Sequence, residues 1–283
     1  MSAARAPGFP PRRILVAVDA SPPSLSALRA AADLAARVHA ELEGLFVEDI
    51  ELVRLARLEV ASHVSLLSGS RERLDVESLE AQLHSLEARA RRALADATSR
   101  SQVSARLRVS RGSVVAELVA ASEQADLLVI GWASRPLWPR QRLGRTAQAA
   151  AERSCRSVLL LPEGARLGGP VAVVDDAAAG APLAIAAAAA LAEATRSKLR
   201  VLVPATDADE ARTKIERVRR KLDARGLDWE PIPLADDAPV RLRHALRQHG
   251  SAVVVIAGDS PLLRDEGVRQ LLEELGCALL LAR

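Results

Sequence analysis

Apolar residues fall along this chain in two alternating rhythms. Short unbroken runs, closed by a charge, a glycine or a proline, read as strands covered on both faces. Longer stretches with an apolar residue every third or fourth position read as helices. Ile14 to Val18, closed by Asp19, is the first strand. The D-A-S-P-P-S that follows opens a helix, with Ser21 as N-cap and Pro22 at the first helical position, where its missing N–H costs nothing. Leu25, Leu28, Ala32 and Ala35/Ala36 carry that helix to about Ala40, and Leu42 to Val47 is the second strand. Val103 to Val109 reads as a third strand with one face partly exposed, and a helix from Gly112 and Ser113 through Ser122 delivers the chain to Leu127 to Ile130, which stops at Gly131. A helix starts at Arg145, and Val158 to Leu161 is a fifth strand ended by Pro162. Strands alternating with helices predict an α/β unit: a doubly wound, mostly parallel five-stranded sheet with helices on both faces.

Between residues 49 and 99 the chain makes an excursion longer than such a unit needs. Ile50 to Leu67 is apolar at mixed spacing, helical in its first half, and broken at Ser68, Gly69 and Ser70. Val76 to Thr98 is the clearest helix, with Leu79, Leu83, Leu86, Ala90 and Ala93/Leu94 on one stripe and charged residues opposite. Then the pattern restarts. P-E-G-A-R-L-G-G-P, Pro162 to Pro170, has a linker's composition, after which Ala172 to Asp175 answers Val16 to Asp19 and Leu183 to Thr195 answers the first helix. Leu199 to Val203 answers the second strand, Pro239 to Gln248 with Ala252 to Ile256 and Gly258 answers the stretch before Gly131, and Cys277 answers Cys155. A single helix, Asp209 to Ala224, replaces the excursion. The expected organisation is a loose tail at 1–11, a first domain at 12–163, a linker at 164–169 and a second domain at 170–283.

Composition narrows the class. The hydrophobic share is 49%, carried by Ala, Leu and Val, while aromatics are 2% and Tyr is absent, so packing rests on small aliphatics. The net charge of +3 comes from arginines interleaved with acids on helix faces, which argues against nucleic acid. Two cysteines make no disulfide framework, no signal-peptide core opens the chain, and no apolar run would span a bilayer, so the expected compartment is the cytoplasm.

The stretch D-L-L-V-I-G-W-A-S-R-P-L-W-P-R-Q-R-L-G-R-T, Asp126 to Thr146, carries the candidate chemistry. A strand stops at Gly131. A loop with Arg135, Arg140 and Arg142 but no acid runs to Gly144, and a helix begins at Arg145. That order is the one in which α/β domains build phosphate sites, because free N–H groups and the positive end of the helix dipole meet there. Trp132 and Trp138 flank the loop and either pack it shut or stack on a base or an arginine. The stretch resembles the nucleotide loop of the universal stress proteins, Gly-x2-Gly-x9-Gly-Ser/Thr in their ATP-binding members. Gly131 and Gly144 fall on the first and third glycines, Ser134 on the second, and Arg145 on the closing hydroxyl position, with Thr146 one place late.

The resemblance implies a tandem chain of that family, with a regulatory or binding role in stress response. It implies ATP or another adenine nucleotide as ligand, accompanied by Mg²⁺ if ATP. It also implies an aspartate at the place of Asp19 and main chain near Val47 facing the adenine; Asp19 equally reads as a strand terminator that orders a turn. Family members pair along their last strand, so the expected partner is a homodimer mate, the chain's other half acting as a pseudo-dimer, or an unidentified protein. The second half has Asp259, Asp265 and Glu266 where the first is basic, so one weak site per chain is expected. His39, His63, His84, His244 and His249 form no metal-ligand spacing, no P-loop or nucleophile elbow is present, and no general base stands near the loop. These absences favour a binding protein with no catalytic or metal residues. The rivals are an ATP-hydrolysing or adenylating enzyme and a nucleotide-free scaffold.

Overall fold

The computed structural model describes residues 9–56, 62–64, 71–73, 76–99, 101, 103–132, 145–234, 238–264 and 276–283. In chain order the first half contains β1 (Arg13–Ala17), α1 (Pro22–Val38), β2 (Glu41–Asp49), α2 (Ile50–Ala56), β3 (Ser62–Val64), β4 (Arg71–Arg73), α3 (Val76–Ser99), β5 (Ala105–Gly112), α4 (Val114–Ser122), β6 (Leu127–Trp132), α5 (Arg145–Arg153) and β7 (Ser157–Pro162). The second half contains β8 (Val171–Val174), α6 (Ala181–Thr195), β9 (Leu199–Pro204), α7 (Ala208–Leu222), β10 (Trp229–Leu234), α8 (Ala238–His249), β11 (Val253–Ala257) and β12 (Ala278–Ala282). Short 3₁₀ turns follow α7 and β11.

Local sequence accounts for the helix ends. Ser21 caps α1, its Oγ accepting the Ser24 N–H, with prolines in the first turn; Asp207 caps α7 by accepting from Asp209 and Glu210. Both α1 and α6 stop at a left-handed residue, His39 and Arg196.

Ten strands form one sheet in the order β10-β9-β8-β11-β12-β7-β6-β1-β2-β5. Every neighbouring pair is parallel except β7 and β12, which run antiparallel with Leu159 opposite Leu280. The two five-stranded units therefore join edge to edge along their last strands, the pairing expected of a pseudo-dimer, and are related by an approximate two-fold axis. The strands of the two halves therefore run in opposite directions, and their C-termini point away from each other along the strand axis. On one face a single core runs across the seam, from Ala31 and Ala35 of α1 through Leu159 and Leu280 to Ala184 and Ala188 of α6. The other face carries two cores, one centred on each half, with Leu281 of β12 joining the first and Leu279 packed against both. Within the excursion α3 is no free arm: Leu83, Ala90 and Leu94 are buried, and the helix lies against α1 and β5.

Three strands lie outside the sequence reading. Beyond α2, β3 and β4 form a small antiparallel ribbon of their own. In the second half W-E-P-I-P-L is the strand that completes the five, β10, although two prolines disguise it. The Asp228 and Leu234 carbonyls accept from Leu199 and Ala205, so even-numbered residues of β10 bond to β9 and Pro231 and Pro233 face outward, where no N–H is needed.

The internal repeat is displaced by one residue from its sequence alignment. The Val18 N–H donates to the Leu45 carbonyl and the Asp175 N–H to that of Leu202, each at 2.9 Å. Asp175 thus stands where Val18 does, and the counterpart of Asp19 is Asp176. Both counterparts order the same turn, Asp19 Oδ1 accepting from Ser21 N at 2.9 Å and Asp176 Oδ1 from Ala178 N at 3.1 Å. Each turn also holds an alanine at positive φ, Ala20 at 60° and Ala177 at 61°.

Candidate functional site

Strand β1 lies between β2 and β6, which the chain reaches by crossovers in opposite directions, so the C-terminal ends of these strands form a topological switch point, the usual place for a ligand in a doubly wound sheet. A cavity of about 630 Å³ opens there. That volume lies in the range of small-molecule sites. Its floor is Val18, Phe46 and Ile130; Leu83 and Leu86 of α3 wall one side, Val114 and Leu118 of α4 the other.

Four residues singled out in the sequence meet in this cavity: Asp19, Val47, Gly131 and Thr146. Asp19 is exposed, with one carboxylate oxygen committed to the turn. Val47 lies two residues past Leu45, where the β1 ladder ends, so its N–H and C=O point toward the space that β1 has left. Thr146 is exposed near the start of α5, which begins at Arg145 as expected. Ser134 and Gly144, like Arg135, Arg140, Arg142 and Trp138, lie outside the described residues, as does the side chain of Arg145. Trp132 is 6% exposed, sits in the core beneath α4 and α5 while also lining the cavity, and its carbonyl accepts from Glu163 N at 2.9 Å.

The geometry gives Gly131 a reason of its own. It lies inside β6, and a Cβ there would stand 2.3 Å from the Pro23 carbonyl oxygen and 2.9 Å from Ser24 N. The first turn of α1 rests directly on this strand, which is what brings Ser21 and Ser24 to the cavity rim. The sequence reading missed Asp49 and Glu163, carboxylates in the lining, and the second role of Leu83 and Leu86. Their only signal was position, at the end of β2, just past β7, and on a stripe already assigned to packing.

At the equivalent place in the second half, among the described residues, the chain engages its own carboxylates. Asp175, fully buried where the first half has Val18, is bound through both oxygens by Arg217 Nη2 of α7 at 2.8 and 3.0 Å. Asp176 Oδ2 accepts from the buried Ser260 hydroxyl. The Asp259 carboxylate takes the Gly180 N–H at the start of α6, 3.1 Å from each oxygen. The chain's own carboxylates occupy the donors there.

The family model that matches is described as the universal stress protein family, over residues 11–162. The chain belongs to the universal stress protein family. No curated protein matches it. Among solved structures, this universal stress protein is similar to one from Archaeoglobus fulgidus DSM 4304 at a TM-score of 0.76 and 14% identity, covering 97% of this chain and 99% of that one. A putative universal stress protein from Pseudomonas aeruginosa UCBPP-PA14 matches at a TM-score of 0.61 and 16% identity, over 96% of this chain and 93% of that one. Both likenesses extend over both halves and support the tandem α/β fold.

Among the described residues of this family member, no group of three His, Cys, Asp or Glu could hold a metal ion, and no helix is long and apolar enough to cross a membrane. The two cysteines differ in whether they are buried. Cys277 is, and burial pushes its thiol up to about 11, whereas Cys155 is exposed.

Proposed function

We propose that this universal stress protein is a cytoplasmic regulatory protein of stress response that binds one adenine nucleotide, in its first half, without turning it over. The observation that supports this reading is the asymmetry of the switch points: an open cavity flanked by the Asp19 carboxylate and the Val47 main chain in one half, and carboxylates of the chain itself engaged with the Gly180 N–H and the Ser260 hydroxyl in the other. A purine edge carries an amine donor beside ring-nitrogen acceptors, which suits an aspartate with a spare oxygen next to unpaired main-chain groups. The apolar floor and the leucines of α3 would cover the ring. Phosphates would extend toward the N-terminus of α5 and the arginines before it, with Mg²⁺ if the nucleotide is ATP; these arginines make the affinity salt-dependent.

Thermal-shift titration of the full chain with ATP, ADP and AMP, with and without Mg²⁺, tests the proposal. A ligand that binds only the native state, at a hundred times its dissociation constant, adds about 2.7 kcal/mol. Asp19→Ala should abolish the shift. A stoichiometry of two, or a shift unaffected by Asp19→Ala, overturns the site, and steady ATP hydrolysis overturns the assignment as a binding protein.

The nucleotide-free scaffold remains as a second reading because the described rim carries Asp19, Asp49 and Glu163, each of which repels phosphate. It predicts no shift with any of the three nucleotides.

A further inference from the structure

The sheet has two edges, and they are built differently. At β10 the outward-facing positions include Pro231 and Pro233, so that edge lacks two N–H donors and cannot template another strand. At the other end the Leu42 N–H donates to the Ser104 carbonyl, which fixes the direction of every residue in β5. Ser104, Arg106, Arg108 and Ser110 bond toward β2; Ala105, Leu107, Val109 and Arg111 turn both N–H and C=O outward. β5 has eight residues and no proline, and among the described residues no strand pairs with it on that side. It therefore presents a row of main-chain donors and acceptors about 26 Å long at roughly 3.3 Å per residue. The ribbon of β3 and β4 forms a separate sheet and does not extend this one.

The side chains along this edge have a sign. Arg106, Arg108 and Arg111 are all exposed, and no acid lies within the strand. Arg106 is tied to Glu43 at 2.9 Å, and Arg111 lies 3.9 Å from Glu48, while Arg108 makes no ion pair among the described residues. Val109 is 38% exposed beside them. A second copy of the chain is a poor occupant, because apposed β5 strands would bring three arginines from each copy into one ribbon, and like charges across a strand pair are destabilising. We propose that the free edge of β5 docks an extended acidic segment of a partner protein, which adds to the sheet as a further strand. Main-chain bonds to Ala105, Leu107, Val109 and Arg111 supply the pairing, and carboxylates on the face shared with Arg108 select the sequence.

A fluorescein-labelled peptide of alternating Glu and Val, matched in length to β5, tests this on the full chain, with a Lys-Val peptide as control. By fluorescence anisotropy the acidic peptide should bind and the basic one should not, and hydrogen exchange should slow at the outward amides of β5. Val109→Pro copies the device at β10: it removes an outward N–H and spares the bonds to β2. Binding should weaken at least about tenfold, which is roughly 1.4 kcal/mol, with the melting temperature kept. Should that variant fail to fold, Arg108→Glu decides, since it should move the preference from the Glu-Val to the Lys-Val peptide. Three results overturn the proposal. Equal binding of both peptides denies the charge selection. No binding of either means the arginines only blunt the edge. Concentration-dependent dimerisation in sedimentation, lost in Val109→Pro, assigns the edge to a second copy.

Discussion

The contact between the first turn of α1 and β6 is solved twice in the chain, with the glycine on opposite sides. By strand register Gly131 corresponds to Ala257, and by the turn repeat Pro23 corresponds to Gly180. In the first half the strand gives way, a Cβ on Gly131 having no room against Pro23; in the second the helix gives way, Gly180 standing 3.3 Å by its missing Cβ from the Ala257 methyl. Gly131→Ala should therefore be costly, since the 2.3 Å clash is with main chain that cannot rotate away. We expect a loss at the upper end of the roughly 1 to 3 kcal/mol that overpacking costs, read by urea denaturation. Ala257→Gly should cost about 1 kcal/mol, the price of a glycine inside a strand. A Gly131→Ala chain of unchanged stability would show that the helix can lift off the strand. This glycine was legible in the sequence as the first of a phosphate loop, and its packing role was not, because nothing in a single sequence says that α1 approaches so closely. The one-residue error in aligning Asp175 with Asp19 has a similar origin. V-A-V-D and A-V-V-D look alike as strings, and only the ladder bonds and the paired left-handed alanines show the offset.

Elements that bury a continuous apolar run were legible, and those at the margins were not. β1, β6 and β7 read directly from the pattern because strands covered on both faces leave few polar interruptions. β10 was hidden by prolines that only an edge strand tolerates. The helix α3 was legible in its stripe, yet Leu83 also walls the cavity, a role that depends on where α3 crosses the sheet. Leu83→Ala should cost at least about 2 kcal/mol and enlarge the cavity, weakening any ligand that rests on it; unchanged stability would mean the wall is not packed. At the far edge of the sheet, Glu230 of β10 is held by Lys198 and Arg200, each at 2.8 Å, and these bonds keep its carboxylate below its ordinary pKa. A carboxylate depressed in the folded state stabilises the fold above its unfolded pKa and loses that contribution as pH falls through the folded value. Glu230→Gln should thus lower the melting temperature at pH 7, and the gap to the parent should close as the medium is acidified. A gap that stays constant with pH would deny the ion pair its role.

At the scale of the whole molecule, the division at 164–169 is proposed as a boundary between repeats that does not separate two folding units. The segment is held at both ends, Gly164 N donating to Ser26 Oγ at 3.0 Å and Gly169 N to Ser197 Oγ at 3.2 Å, with Leu167 buried between. One face of the sheet carries a single core through both halves. Calorimetry should accordingly give one thermal transition whose van 't Hoff and calorimetric enthalpies agree, and two resolved peaks would reverse this view. The antiparallel join of β7 to β12 has a further consequence. In a dimer of identical chains, two-fold symmetry obliges both copies to keep a site or lose it together, since one sequence encodes both. Covalent union of the halves removes that obligation. Each half answers for its own residues, so Asp259 could settle onto the Gly180 N–H and Ser260 donate to Asp176 at one switch point while the other stayed open, and the seam between them kept its form throughout.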